Sequence, residues 1–276
     1  MLHQLLYTII QLLERAGLHT HLDAPVERAG AFALGMVLLD VIISHGPQKG
    51  LLLRLFRQGP PGTKEARRFL SQLAAKLVGM VFLSAIFPLA FAVLLGEPAL
   101  RAAPFVGTSP TSQRMVEVAS GYFLYDIVLC MLKYSDNGFE FLLHAVVCSC
   151  VYTIAAMRGV MHYYGAAFLM WELSTPAMYT RWLMLKAGLG SSAAMPLVNA
   201  AFMLAFFGCR VVWGPIMTVE FWRDSAGQLL AASPALPPAA IWVVRVMSIA
   251  LNLLNYYWFA TMVKLAVKGK TKTKVV

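Results

Sequence analysis

The sequence predicts an all-α membrane protein, a bundle of about seven transmembrane helices, and three observations carry that reading. Of the 276 residues, 59% are apolar and only 13% charged, a balance that a water-soluble chain of this size holds only by exposing apolar surface. About seven stretches can supply the roughly 20 apolar helical residues that a hydrocarbon core of about 30 Å demands. Lys and Arg collect in a few loops, as they do on the cytoplasmic side of a membrane. The mean hydropathy of +0.67 excludes a disordered chain, which needs low hydrophobicity and high net charge.

Taken in order, residues 1–28 form an N-terminal segment in which Leu5, Leu6, Ile9, Leu12 and Leu13 recur at helical spacing beside Gln4, Gln11 and Glu14. That pattern fits a short amphipathic helix lying in the interface, or else a frayed first turn of span one. It has neither the basic start nor the small-residue cleavage site of a signal peptide. The first span, 29–48, carries Asp40 as its one charge, and a basic loop punctuated by Gly59-Pro60-Pro61-Gly62 completes a unit over 29–63. Six further spans fall within one membrane domain, 64–265. Residues 77–96 and 141–157 are uncharged, whereas 117–134 holds Glu117, Asp126 and Lys133. About 160–181 contains Glu172 and Pro176, about 195–219 contains Arg210, and about 241–263 has Arg245 near its start. A basic tail, 266–276, follows.

The loops set the orientation. Lys49, Arg54, Arg57, Lys64, Arg67, Arg68 and Lys76 face the single acid Glu65 between the first two spans, which makes that loop cytoplasmic. Lys264, Lys268, Lys270, Lys272 and Lys274 place the C-terminus on the same side, and the six intervening spans satisfy the required even number of crossings. The net charge of +10 is thereby explained by the membrane, and nucleic acid is not expected as a partner. Cys130, Cys148, Cys150 and Cys209 all lie in apolar stretches, so neither a disulfide framework nor a metal site is expected, and no motif implies a cofactor.

Ionisable groups are costly near the bilayer centre and usually face the protein interior or a cavity. Asp126, His144, Glu172 and Arg210 are the most deeply placed, on four different helices, with Asp40, Arg181 and Asn199 behind them. Tyr122 and Asp126 share a helix face, where an internal hydrogen bond plus Lys133 reaching to headgroups is one reading and a functional site the other. His144 can act as a general base or simply pack. Pro176, after Glu172-Leu173-Ser174-Thr175, should kink its helix beside a carboxylate, either opening space for a ligand or leaving Ser174 or Thr175 to satisfy freed carbonyls. Asn199, Met203, Phe206 and Arg210 fall on one helix face, from which Arg210 can pair with Glu172 or Asp126 or bind an anionic headgroup.

Gly121-Tyr122-Phe123-Leu124-Tyr125-Asp126, Phe141-Leu142-Leu143-His144, Glu172-Leu173-Ser174-Thr175-Pro176 with Arg181-Trp182, and Phe206-Phe207 leading to Arg210 together resemble, in content and order, the TLC domain family named for TRAM, Lag and CLN. The likeness covers roughly 64–265. It implies a multispanning protein of the endoplasmic reticulum engaged in membrane-lipid work. Some family members are ceramide synthases; others are linked to lipid composition and membrane homeostasis. This chain is more similar to the second group. The paired histidine of the synthases is reduced to Leu143-His144-Ala145, no aspartate stands between Asp136 and Asp224, and no histidine stands between His45 and His144.

The resemblance therefore implies a protein of membrane-lipid homeostasis that binds or handles lipids, including sphingolipids, in a cavity lined by Tyr122, Asp126, His144, Glu172, Arg181, Asn199 and Arg210. The alternatives are a ceramide-synthase-like acyltransferase that uses acyl-CoA with His144 as general base, and a lipid transporter or cargo receptor gated at the fifth span. Lys272 and Lys274, five and three residues from the C-terminus, resemble the dilysine signals that a coat or retrieval receptor reads. A basic tail held on anionic lipid is the other reading of the same residues.

Overall fold

The computed structural model describes residues 23–273, with side chains over 24–267. Most of the interfacial segment expected over 1–28, together with Lys274, lies outside the described residues, as does the side chain of Lys272. Among the described residues all regular structure is helical: α1 (Asp23–His45), α2 (Lys49–Leu55), α3 (Lys64–Gly96), α4 (Pro98–Ala102), α5 (Pro110–Leu132), α6 (Tyr134–Arg158), α7 (His162–Leu169), a 3-10 turn (Met170–Ser174), α8 (Thr175–Lys186), α9 (Met195–Phe206), a π-helical turn (Phe207–Trp213), α10 (Gly214–Leu230) and α11 (Pro238–Thr273). The chain is an all-α membrane bundle. By length and composition, five helices among the described residues can cross a membrane: α3, α5, α6, the continuous run Met195–Leu230, and α11 over Pro238–Val267.

The other two expected spans take different forms. The first begins at Asp23 rather than at residue 29, so it absorbs the end of the expected N-terminal segment. This helix, α1, stands outside the group of five and is fixed to α5 by polar contacts and close packing. Arg28 forks onto the buried Glu117 through Nε at 2.7 Å and a second nitrogen at 2.6 Å, and the Tyr125 hydroxyl donates to Asp40 at 2.7 Å. Between them the Ala29 carbonyl lies so near Gly121 that a Cβ there would stand 2.4 Å from it, which is why this close approach uses glycine.

The expected fifth span is broken at both ends. α6 terminates at Gly159 and the chain turns through Met161, both left-handed with φ of 59° and 58°, while the Met161 N–H donates to the Phe105 carbonyl at 2.7 Å. Pro176 does not kink a continuous helix as the sequence suggested. It occupies the first turn of α8, where a missing N–H costs no helical bond, and the 3-10 turn precedes it. His162, next to the α6–α7 break, is fully buried, accepting from or donating to Ser112 at 2.8 Å and meeting the Ala155 carbonyl at 3.2 Å.

The main core joins α3, α5, α6 and α7, with Phe82, Met115, Phe123, Tyr152 and Leu169 at its centre and Leu251 and Leu254 of α11 closing one side. Phe82 stacks on Tyr122, with ring centroids 3.7 Å apart. Lys133 is tied to neighbouring protein groups. Its Nζ donates to the Ser71 carbonyl at 2.9 Å and lies 3.8 Å from Asp40, because the start of α3 meets the end of α5 there.

Candidate functional site

A cavity of about 370 Å³ opens between α5, α6, α8, α9 and α11. Its walls include Phe123, Phe141, Met178, Phe202, Phe206 and Trp258, and the polar groups on it are Tyr122, Asp126, His144, Glu172, Arg181 and Arg210 with Ser174, Thr175, Tyr179 and Thr261. Six of the seven residues expected at the site thus line one space. Asn199 does not. It accepts from Arg181 Nε at 2.7 Å and lines a neighbouring cavity of about 350 Å³ with Met203 and Leu265. Asn199 stands eleven residues before Arg210, about 16 Å along the helix, and the α-helical register ends between them at the π-helical turn Phe207–Trp213 that contains Arg210.

At the deep end of the cavity Glu172 and Arg210 form an almost fully buried ion pair, Oε1 to guanidinium 2.9 Å. The remaining nitrogens of Arg210 donate to the Trp171 carbonyl at 3.0 Å, Ser174 Oγ at 3.3 Å and Asn255 Oδ1 at 3.2 Å, and the group lies over the Phe206 and Trp258 rings. A buried guanidinium needs that many acceptors, and here it has them. The other carboxylate oxygen of Glu172 accepts from Thr175 Oγ1 at 2.6 Å. Of the two hydroxyls that Pro176 brings into play, Ser174 donates to the Trp171 carbonyl at 3.3 Å, whereas Thr175 is directed to Glu172.

Gly138, with φ 78° and ψ −178°, breaks α6 near its start, and His144 sits about 8 Å along the continuous part that follows. Its Nε2 lies 3.8 Å from Glu172 Oε1, beyond direct hydrogen-bonding distance, and its ring faces Phe123 and Trp258. The Cys148 thiol is its neighbour one turn on, 3.7 Å from Nε2. Asp126 has a thin set of partners, a weak contact from the Cys130 thiol at 3.8 Å. Imidazole and carboxylates therefore converge on one side of an otherwise apolar chamber, with Arg181 nearer the basic end of the bundle. Of the ionisable groups on this cavity, Asp126 and His144 make only weak contacts within the protein.

The residues that decide this geometry coincide with a known domain: the family model of the TLC domain matches residues 72–264. This chain belongs to the TLC domain family. Every cavity residue from Tyr122 to Met262 falls within the matched segment, while α1, α2 and Arg28 precede it. The chain is 27% identical to an uncharacterized TLC domain-containing protein of Saccharomyces cerevisiae over 241 residues, 83% of this chain and 74% of that one. It is 28% identical to Topoisomerase I damage affected protein 4 of the same yeast over 167 residues, 58% of each chain. With the human Protein CLN8 the identity is 28% over 172 residues, 60% of this chain and 58% of that protein. The chain so spans little more than half the length of the last two relatives. None of the three bears the name of a ceramide synthase.

Three features of the site escaped the sequence. Trp258 forms a wall behind His144, Tyr179 faces the same space from α8, and Asn255 holds Arg210. Asn252 and Asn255 are polar residues inside an apolar span, as Asn199 is, so widening the search from ionisable to all polar groups would have found them. Trp258 and Tyr179 carry no comparable signal, because aromatic residues are common in membrane helices.

Proposed function

We propose that this TLC protein binds a membrane lipid in the cavity at His144, Glu172 and Arg210, and through that binding acts in membrane-lipid homeostasis in the endoplasmic reticulum. The observation that supports the reading is the cavity itself, apolar and aromatic over most of its wall with a few convergent polar groups at one end, the usual construction of a site for an amphiphile. Arg210 is already satisfied by protein acceptors, so the ligand's polar end meets Asp126 and His144. Those groups suit a lipid that offers hydroxyl or amine donors, sphingoid lipids among them. The basic tail, with Lys272 and Lys274, lies on the cytoplasmic side in this reading and supplies the retrieval signal.

A second reading draws on the placing of His144 beside Glu172 at the cavity wall. There the imidazole takes the proton from an amine or hydroxyl as that group attacks the thioester carbonyl of acyl-CoA; the C–S bond breaks and the CoA thiolate leaves, taking the proton back from the imidazolium, with Glu172 steadying the ring. One experiment separates the two. Lipids are quantified in cells lacking the protein and rescued at matched expression by wild type or His144→Ala, and lipid carried through purification is identified in parallel. Binding predicts a lipid class retained by purified wild type, with His144→Ala lowering that retention and the rescue together. Transfer predicts rescue by wild type alone while both purified forms retain lipid equally. No altered class and no retained lipid would overturn both.

A further inference from the structure

A third and larger cavity lies at the other end of the bundle. α3 starts in the basic loop and runs 33 residues, about 50 Å at 1.5 Å per residue, which exceeds the hydrocarbon core. Its far end and the following α4 therefore stand at headgroup depth. There a cavity of about 660 Å³ is bounded by Arg101 of α4, Tyr163 and Tyr164 of α7, Trp213, and Glu220, Arg223 and Asp224 of α10. None of these residues takes part in the site described above.

The charges around this space are balanced and unpaired with one another. Two arginines and two carboxylates border it, yet no nitrogen of Arg101 or Arg223 comes within 4.0 Å of an oxygen of Glu220 or Asp224. Asp224 accepts a hydrogen bond from the Tyr164 hydroxyl. Arg101, Glu220 and Arg223 carry no ion pair or side-chain hydrogen bond among the described residues. A cavity lined by both signs, held apart, matches a ligand that bears both signs. The guanidinium forks suit the oxygens of a phosphodiester. The faces of Tyr163 and Trp213, with the carboxylates, suit an ammonium group. Directly beside the polar groups, Val212, Ile216 and Val219 of the same run of helix are exposed, an apolar strip along which hydrocarbon chains can lie. An anionic phospholipid without an ammonium group would leave Glu220 and Asp224 facing its own charge.

We infer that this cavity is a second lipid site, which takes the headgroup of a zwitterionic phospholipid. It stands independently of the reading given to the central cavity. The test is a native mass-spectrometric titration of the full-length protein in detergent with four probes: phosphatidylcholine, phosphatidylglycerol and diacylglycerol of the same chains, and soluble glycerophosphocholine. Wild type should bind phosphatidylcholine about tenfold more tightly than diacylglycerol, the scale of one good charge-assisted contact. Arg101→Ala with Arg223→Ala should erase that preference. Glu220→Gln should weaken phosphatidylcholine while leaving phosphatidylglycerol unchanged or improved. All three side chains are exposed, so melting temperatures should match wild type and the loss can be assigned to the site. The inference is overturned if wild type shows no preference for phosphatidylcholine, or if the preference survives the double substitution. Binding of glycerophosphocholine as tight as that of the lipid would overturn the lipid assignment in favour of a soluble phosphodiester.

Discussion

Replacing Glu172 by Ala tests whether the buried pair holds the bundle together as a pair of charges. The substitution leaves the Arg210 guanidinium enclosed, with only the Trp171 carbonyl, Ser174 and Asn255 as neutral acceptors, and deprives Thr175 of its partner. Two magnitudes compete. A neutral hydrogen bond between membrane helices contributes about 0.6 kcal/mol on average, whereas removing one member of a buried ion pair costs about 3–5 kcal/mol because the other charge is left uncompensated. The side chains are 7% and 14% exposed, so the larger figure applies. At about 2 °C per kcal/mol for a chain of this size, purified Glu172→Ala should melt roughly 6–10 °C below wild type. Removing both charges, with Glu172→Leu and Arg210→Met together, should recover most of that loss, since an apolar pair of similar volume needs no compensation. The reasoning is refuted if the single substitution lowers the melting temperature by less than about 2 °C, or if the double variant is no more stable than the single one.

Other consequences can be checked on the same footing. Ser112→Ala strips the fully buried His162 of its hydroxyl partner and should cost about 1–3 kcal/mol, seen as a lowered melting temperature that Ser112→Thr partly restores. Gly121→Ala drives a methyl group to 2.4 Å from the Ala29 carbonyl and 3.1 Å from Phe32, so α1 must move off α5 at a cost of roughly 1–3 kcal/mol; a cysteine placed at the buried Ala33 should then label faster with a thiol reagent. Tyr125→Phe removes the hydroxyl donor to Asp40 while Lys133 stays 3.8 Å away, and a small loss, about 1 kcal/mol, is expected by thermal melting.

How far the sequence could be read depended on which force left a mark in it. Asp126, His144, Glu172 and Arg210 were legible because a titratable group in an apolar run needs a reason to be there, and the structure gathers all four around one space. The apolar runs themselves located α3, α5, α6 and α11 but not their ends: α3 starts 13 residues before its run, α5 and α6 seven before theirs, and α11 continues ten beyond, because a helix does not stop where its apolar stretch does. Backbone departures were harder to see. Gly159 is an ordinary helix terminator, but nothing in the identity of Met161 announces a left-handed conformation, and His162 fell beside that break. Thr175-Pro176 reads equally well as a kink or as a helix start, and only the 3-10 turn before it decides. The π-helical turn at Phe207–Trp213 has no residue signature, and a shared helix face did not show that Asn199, about 16 Å along the helix from Arg210, lines a neighbouring cavity.

Those two irregular turns meet each other, and the meeting explains how a charged pair is carried in the middle of the bundle. The Thr175 N–H bonds the Glu172 carbonyl in 3-10 fashion, so it does not reach back to the Trp171 carbonyl, which accepts from Arg210 instead. On the facing helix the wide turn places Arg210 inward, and the next residue after that turn is Gly214, where a Cβ would stand 2.5 Å from the Trp171 indole nitrogen. A rigid indole in a packed core cannot yield that distance cheaply. Gly214→Ala should therefore push Trp171 away, lengthen the bond from Arg210 to its carbonyl, and destabilise the pair without touching either charge. Combined with the Glu172→Leu, Arg210→Met replacement, the same alanine should cost less than it does in wild type, because part of its effect is exerted through the ion pair. Equal costs in both backgrounds would mean that Gly214 serves packing alone and that the two turns are not coupled.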